Sequence, residues 1–273
     1  MRTGGLRVCF VVMTLVLAMG SACTKGSSAP PPITSPPPPP GPPGAVAGLK
    51  AAQPHRWDPN PKTWKVTLSW RAPASGSPVD HYEVARDGRT IERNVDASPF
   101  TDDHVEPGAA YRYRVVAVTA DGQSGKAANA VVKTKKPSLE DARLDGHYLT
   151  RFTVTSSNVG ATGVLPIVVN FTAKCGHGAC DSEYERVGRD GSGVLQRKGA
   201  AYAGTVSAQF QLRTCHGSSV DESLAIALHV TKAGVVHHEW RATAIEGSMT
   251  ESLSASGCIT GVNHWDIAGK SGV

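Results

Sequence analysis

The side chains with the most chemical capacity are Cys175, Cys180, Cys215 and Cys258, with His177 inside the first pair and His216 beside the third cysteine. Cys-x4-Cys with a nearby histidine can hold zinc, whereas four thiols in an oxidising compartment close two disulfides. The export signal described below favours disulfides. Of the three possible connectivities, the one expected pairs Cys175 with Cys180 across a four-residue loop and Cys215 with Cys258 across distant segments. Asp181, Glu183 and Glu185 lie close in sequence, as the two carboxylates of a retaining glycosidase must lie close in space. At alternate positions of a strand they form a wet face instead. A Gly-x-Ser-x-Gly elbow for a serine nucleophile is missing. The expectation is a protein that is not an enzyme, with no catalytic residue, no metal and no cofactor.

The elements that carry these groups read as strands. After Lys133-Thr134-Lys135-Lys136-Pro137 the composition turns to glycine, serine and histidine. Tyr148, Phe152 and Val154 alternate with Arg151 and Thr153. Leu165, Ile167, Val169 and Phe171 share one face of a second strand, and Tyr202, Val206, Ala208, Phe210 and Leu212 share one face of a long third. About eight antiparallel strands in residues 137–273 predict a closed up-and-down barrel or a second sandwich. Apolar matching around Gly234 predicts a three-residue loop, Lys232-Ala233-Gly234, with Val230 facing Val236, Leu228 facing His238 and Ile226 facing Trp240. That register brings His229 to within about 5 Å of His237, with Glu239 on the same face. Two exposed histidines are ordinarily solvated, and a tight metal site needs three or four convergent ligands.

Residues 45–136 show short strands and turns with no helical period. Val66, Leu68 and Trp70 alternate with Thr67 and Ser69, Tyr82 and Val84 repeat the pattern, and Asp87-Gly88 supplies a tight hairpin turn. Together with Phe100-Thr101-Asp102 and Val105-Glu106-Pro107-Gly108-Ala109-Ala110-Tyr111-Arg112-Tyr113, these residues resemble the fibronectin type III family. The resemblance implies a β-sandwich in which Trp70 fills the core between the sheets and Tyr111 makes the corner hydrogen bond. It also implies a spacer or interaction module without chemistry of its own. Gln53 to Lys65 is a longer first connection than that family uses, and it carries Trp57 and Trp64. Two tryptophans in a loop either stack on a ligand or fold back over the sandwich. The opening of the second domain, Leu144-Asp145-Gly146-His147-Tyr148 followed by a strand, is weakly similar to the start of lipocalin-type barrels, and the resemblance implies a Gly-x-aromatic that plugs the base. A ligand in such a barrel would meet Phe210 and Trp240, which join Trp57 and Trp64 as candidate binding residues.

The first residues give an address. Arg2 and Arg7 precede the apolar run Val8 to Met19, which is too short to span a bilayer. Gly20-Ser21-Ala22-Cys23 resembles the lipobox of bacterial lipoproteins, with Gly20 where that motif usually has leucine; the resemblance implies a palmitate-bearing Cys23. Cleavage after Ala22 without lipidation is the alternative. Residues 1–22 are thus the signal peptide, and 23–44 the acylated cysteine and a proline-rich, semi-rigid linker. Losing Arg2 and Arg7 lowers the formal charge from +5 to +3, too little to argue for nucleic acid. The expectation is an all-β lipoprotein on the extracytoplasmic face of the cell membrane, presenting a binding barrel on a fibronectin-like spacer. Its partner would be a small ligand or an envelope component. An adhesion or envelope-assembly module, or an accessory of a secreted hydrolase, are the alternatives.

Overall fold

The structure, a computed structural model, describes residues 41–56, 58–211 and 219–272. Cys23 and the leader, Trp57, Leu212 and Cys215 lie outside the described residues. Among the described residues no helix is long and apolar enough to cross a membrane.

The first seven strands are β1 (Ala47–Ala52), β2 (Val66–Arg71), β3 (His81–Arg86), β4 (Arg89–Val95), β5 (Phe100–Asp102), β6 (Ala110–Val118) and β7 (Ala128–Lys133). They form two sheets, ordered β1-β2-β5 and β4-β3-β6-β7. Alternation decides which faces meet: Val66, Leu68 and Trp70 on β2 and Tyr82 and Val84 on β3 are all buried between the sheets. The Trp70 ring meets Tyr82 edge-on at 5.3 Å. Asp87 (φ 49°) and Gly88 (φ 83°) make the β3–β4 turn. A two-residue hairpin turn needs positive φ at both positions to match the strand twist. The Tyr111 hydroxyl accepts the Glu106 backbone N–H at 2.8 Å, which is the expected corner bond. Tyr111→Phe is expected to cost about 1 kcal/mol, the worth of one hydrogen bond, in urea unfolding. A loss indistinguishable from zero would show that the corner is held by packing.

The second set of strands is β8 (Gly146–Ser157), β9 (Val164–Ala173), β10 (Ser182–Arg186), β11 (Ser192–Lys198), β12 (Ala201–Gln211), β13 (Ser219–Val236), β14 (Glu239–Ala255) and β15 (Ile259–Ser271). Each pairs antiparallel with the next, and β15 pairs with β8, so the sheet closes into an up-and-down barrel without an edge. Of the two architectures expected for residues 137–273, the barrel is the one formed.

One end of this barrel is sealed. The segment entering β8 buries Ala142 and Leu144 beneath the strands. Its backbone is bound to β14 through Arg143 N to Trp240 O (3.0 Å) and Ala242 N to Arg143 O (2.9 Å). The Trp240 indole N–H donates to Ser138 O at 2.9 Å. Above this plug, the Tyr148 and Phe171 rings pack edge to face at 5.2 Å, and the Phe171 and Tyr184 rings do so at 5.8 Å. Aromatic quadrupoles prefer this arrangement.

The sealed end also meets the first domain. Trp64 is buried, and its ring lies 5.2 Å from that of His238 in the β13–β14 turn. Cys175 and Cys180 are disulfide-bonded, as expected, and the loop they close bears on the same region. Gly178 in that loop has φ +75°, and a Cβ there would stand 2.8 Å from Pro59 Cγ. Glycine is therefore required twice over, for its backbone conformation and for its lack of a side chain. Cys258 is also disulfide-bonded, while its expected partner Cys215 is outside the described residues.

The hairpin register expected around Gly234 is wrong. The turn is His237-His238, both with positive φ (48° and 62°), and the pairs are Val236 with Glu239, Val230 with Ile245 and Ile226 with Met249. The physical reason is a bulge between Val230 and Ala233: an extra residue shifts the inward set from even positions (Ile226, Leu228, Val230) to odd ones (Ala233, Val235). Alternation cannot be carried through such a point. The predicted pairing of His229 with His237 fails with it, since His229 faces Ala201 and Glu246.

Candidate functional site

At the end of the barrel away from the plug, Val220, Leu253 and Ala255 form a small buried cluster packed by Val159, Phe210 and Ile259; residues 212–218, between β12 and β13, lie outside the described residues. On β9 and β12 the inward positions become more exposed toward this end, whereas on β13 and β14 Val220, Leu253 and Ala255 stay buried: on β9, Phe171 and Val169 are buried, Ile167 is half-buried and Leu165 is 43% exposed. On β12, Tyr202 and Val206 are buried whereas Ala208 and Phe210 are half-buried. Side chains that alternation assigns to a core therefore become the lining of a mouth.

Beneath this mouth lies a charged cluster at inward positions of four strands. Arg186 on β10 donates through Nη1 and Nη2 to both carboxylate oxygens of Glu222 on β13, the fork geometry that suits guanidinium to carboxylate. Glu251 on β14 accepts from Asn263 Nδ2 at 2.8 Å and Trp265 Nε1 at 3.2 Å, both on β15. Glu222 and Glu251 are diagonal neighbours on the inward face of β13 and β14, Glu222 opposite Leu253 and Glu251 opposite Leu224, and each shifts the other's pKa. All four of Arg186, Glu222, Glu251 and Asn263 are buried. Burial works to raise the Glu222 pKa, but the bonds from Arg186, the neighbouring Glu251 and the charges of Arg186 and Arg189 hold it below the usual carboxylate range. For Glu251, burial and then the neighbouring Glu222 push the pKa up, against Asn263 and Trp265. Four buried polar atoms around the cluster and its strands, Ser182 Oγ, Tyr184 OH, Arg186 Nε and Asn263 Oδ1, have no hydrogen-bond partner.

Over the cluster lies the β10–β11 turn. Arg189 there is 53% exposed at its side chain, 4.0 Å from Glu222, with its guanidinium 5.8 Å from the centre of the Phe210 ring. Arg186, Arg189, Asp190, Gln209, Phe210 and Glu222 line a depression of about 340 Å³. Beside it a broader one of about 690 Å³ is lined by Ser207, Gln209, Asp221, Ser223, Ser252 and Ser254 among others. The first places guanidinium, carboxylate and amide groups beside the Phe210 ring, while the hydroxyls of the second belong to outward positions of β12, β13 and β14.

The candidate residues read from the sequence do not converge. Phe210 is at the mouth, Trp240 is buried at the sealed end, Trp64 is buried at the junction with the first domain, and Trp57 lies outside the described residues. The loop that carries Trp64 does border a groove of about 580 Å³, with Pro54, Arg56, Pro59, Lys65 and Pro107. Glu183 and Glu185 lie on the outer side of β10, opposite inward Ser182, Tyr184 and Arg186, so their wet-face reading holds. In the first domain Asp102, Asp103 and His104 bring ligand atoms within 4.8 Å of one another. Asp102 is already spent there on Arg86 Nη1 (2.7 Å), Tyr113 OH (2.8 Å) and His104 N (3.0 Å).

Sequence reasoning missed Arg186, Glu222, Glu251 and Asn263. Their signal was present. Each occupies the inward parity of its strand: Glu222 falls between Val220 and Leu224, and Glu251 between Met249 and Leu253. A charge on the buried face of an alternating strand marks a paired interior group.

Two solved structures show how far comparison reaches. The chain is similar to chitinase ChiA74 from Bacillus thuringiensis at 13% identity and a TM-score of 0.28, covering 84% of this chain and 27% of that one. It is similar to the exotype rhamnogalacturonan lyase YesX at 13% identity and a TM-score of 0.26, covering 81% of this chain and 40% of that one. The chain thus spans less than half the length of either, and likenesses this slight carry no argument about activity. The model of the fibronectin type III domain matches residues 54–133. With two sheets, Trp70 between them and the Tyr111 corner, that part of the chain is a fibronectin type III domain.

Proposed function

We propose that this protein is a non-catalytic binding lipoprotein of the cell surface. Cys23 is its lipid anchor, the proline-rich linker and fibronectin type III domain are its spacer, and the mouth of the barrel is its binding end. The observation that supports the reading is the asymmetry of the barrel: one end is plugged and packed against the spacer, while at the other, among the described residues, exposed Arg189 and Gln209 and half-buried Phe210 border a depression over a buried charged cluster. A disulfide at Cys175 and Cys180 fits an oxidising, extracytoplasmic setting. The interior between plug and mouth is filled by Tyr148, Phe152, Phe171 and Tyr184, so a ligand is held at the rim and not deep within. The same filling favours, as a second reading, an adhesion or envelope-assembly module that meets its partner through the rim.

Display is tested by feeding labelled palmitate to the native host. The full chain is expected to take up label and remain with the cells, and Cys23→Ser is expected to take up none and to appear in the medium. A Cys23→Ser protein that stays cell-associated, or a wild-type chain without label, would overturn the anchor.

A further inference from the structure

The rim of the mouth is fastened largely by charge. Residues 187–191 join β10 to β11, and the backbone bonds of this turn are Val187 N to Val168 O at 3.0 Å and the local Arg189 N to Arg186 O at 3.2 Å. Its one arginine, Arg189, and Arg186 at the end of β10 are both drawn to one carboxylate, Glu222: Arg186 by a two-pronged bond and Arg189 at 4.0 Å. Glu222 in turn has Glu251 as its diagonal neighbour on the inward face of the adjacent strand. Two buried carboxylates against one buried guanidinium leave the interior one positive charge short, and a proton supplies it.

The groups that face this pair are few. β10 contributes Tyr184 and Arg186, the turn contributes Arg189 and the Asp190 carboxylate, which borders the same depression as Glu222, and β15 contributes Asn263 and Trp265. The strand neighbours Ala208 on β12, Leu224 on β13 and Leu253 on β14 bring no charge. Burial pushes the Tyr184 phenol upward, so it stays neutral and does not compete for the proton.

We propose that a single proton shared by Glu222 and Glu251 operates the 187–191 turn as a clasp over the barrel mouth, closed while Glu251 holds the proton and Glu222 holds Arg186. This deepens the binding reading, on which its consequence for a ligand rests: access to the rim becomes pH-dependent. The two carboxyls act on opposite sides. Glu251, raised in the folded protein, contributes stability that is present below the ordinary carboxylate pKa and is lost as pH rises through its folded value. Glu222, depressed, contributes stability that is present above the ordinary value and is lost as pH falls through its folded value. The clasp is tightest between these limbs.

Hydrogen exchange of the full chain, followed by mass spectrometry from acid to mildly alkaline pH and corrected for intrinsic exchange, reads the clasp without any ligand. Failure of the clasp is therefore distinguishable from failure of the binding reading. Protection of residues 187–198 is expected to peak and to fall on both sides, at most about tenfold per pH unit for one linked proton. Glu251→Gln keeps a neutral group beside Glu222 and is expected to remove the alkaline fall while leaving the acid one. A flat wild-type profile, or an alkaline fall that survives in Glu251→Gln, overturns the proposal. Infrared spectra of the wild type give a reading that needs no variant: on titration from acid pH, a protonated carboxyl stretch is expected to persist above the range in which exposed carboxyls ionise. Its absence overturns the proposal as well.

Discussion

Arg186→Met is expected to destabilise the barrel by about 3–5 kcal/mol, because it strands Glu222 in the interior with no cation. The Arg186 guanidinium is the only charged donor with a two-pronged bond to Glu222 among the described residues, and Arg189 is too exposed to replace it. The double variant Arg186→Met with Glu222→Leu removes both charges and is expected to recover most of the loss, since a buried ion pair offsets little more than its own desolvation. Exchange protection of β13 and β14 amides measures both. A single variant within about 1 kcal/mol of wild type, far short of the cost of an uncompensated buried charge, would mean that Glu222 is already neutral in the folded protein.

The second large effect lies at the other end. Phe171→Ala is expected to cost about 3–5 kcal/mol, the range for emptying a buried aromatic site. Its ring is buried between Tyr148 and Tyr184, whose own edge contacts would be lost together with it. Phe210→Ala, at a half-buried rim position, is expected to cost about 1 kcal/mol in proportion to the smaller area it removes from water. Urea midpoints of the two variants compare them directly. Equal losses would mean that the mouth is packed as tightly as the interior, against the exposure gradient along β9 and β12.

That gradient explains what was legible in the sequence. Alternation of period two fixed the faces of β2, β3, β8, β9 and β12, because one side of each strand is buried and the other wet. Trp70 and Tyr111 were placed through resemblance to a family, and the Cys175–Cys180 bond through spacing. What escaped were departures from period. The bulge after Val230 breaks the parity on which the hairpin register depended, and the His237-His238 turn carries positive φ on residues that do not announce it as glycine or asparagine would. The plug was announced only by the lipocalin-like opening from Leu144 to Tyr148; Ala142, after a short 3-10 turn at Leu139–Asp141, belongs to no periodic run and escaped. The charged cluster was legible only as an irregularity, Glu222 and Glu251 at inward positions, and a search for recognised catalytic motifs passes over it. The tryptophans drew attention for their size, yet Trp64 and Trp240 serve the sealed end.

Binding at the rim is tested most directly by native mass spectrometry of the full chain, extracted gently from its own host, beside Phe210→Ala and Trp64→Ala proteins prepared in the same way. An added mass is expected on the wild type and on Trp64→Ala, and its loss is expected from Phe210→Ala. A bare wild-type mass, or an added mass that Phe210→Ala leaves unchanged, would contradict the assignment of the mouth as the binding end.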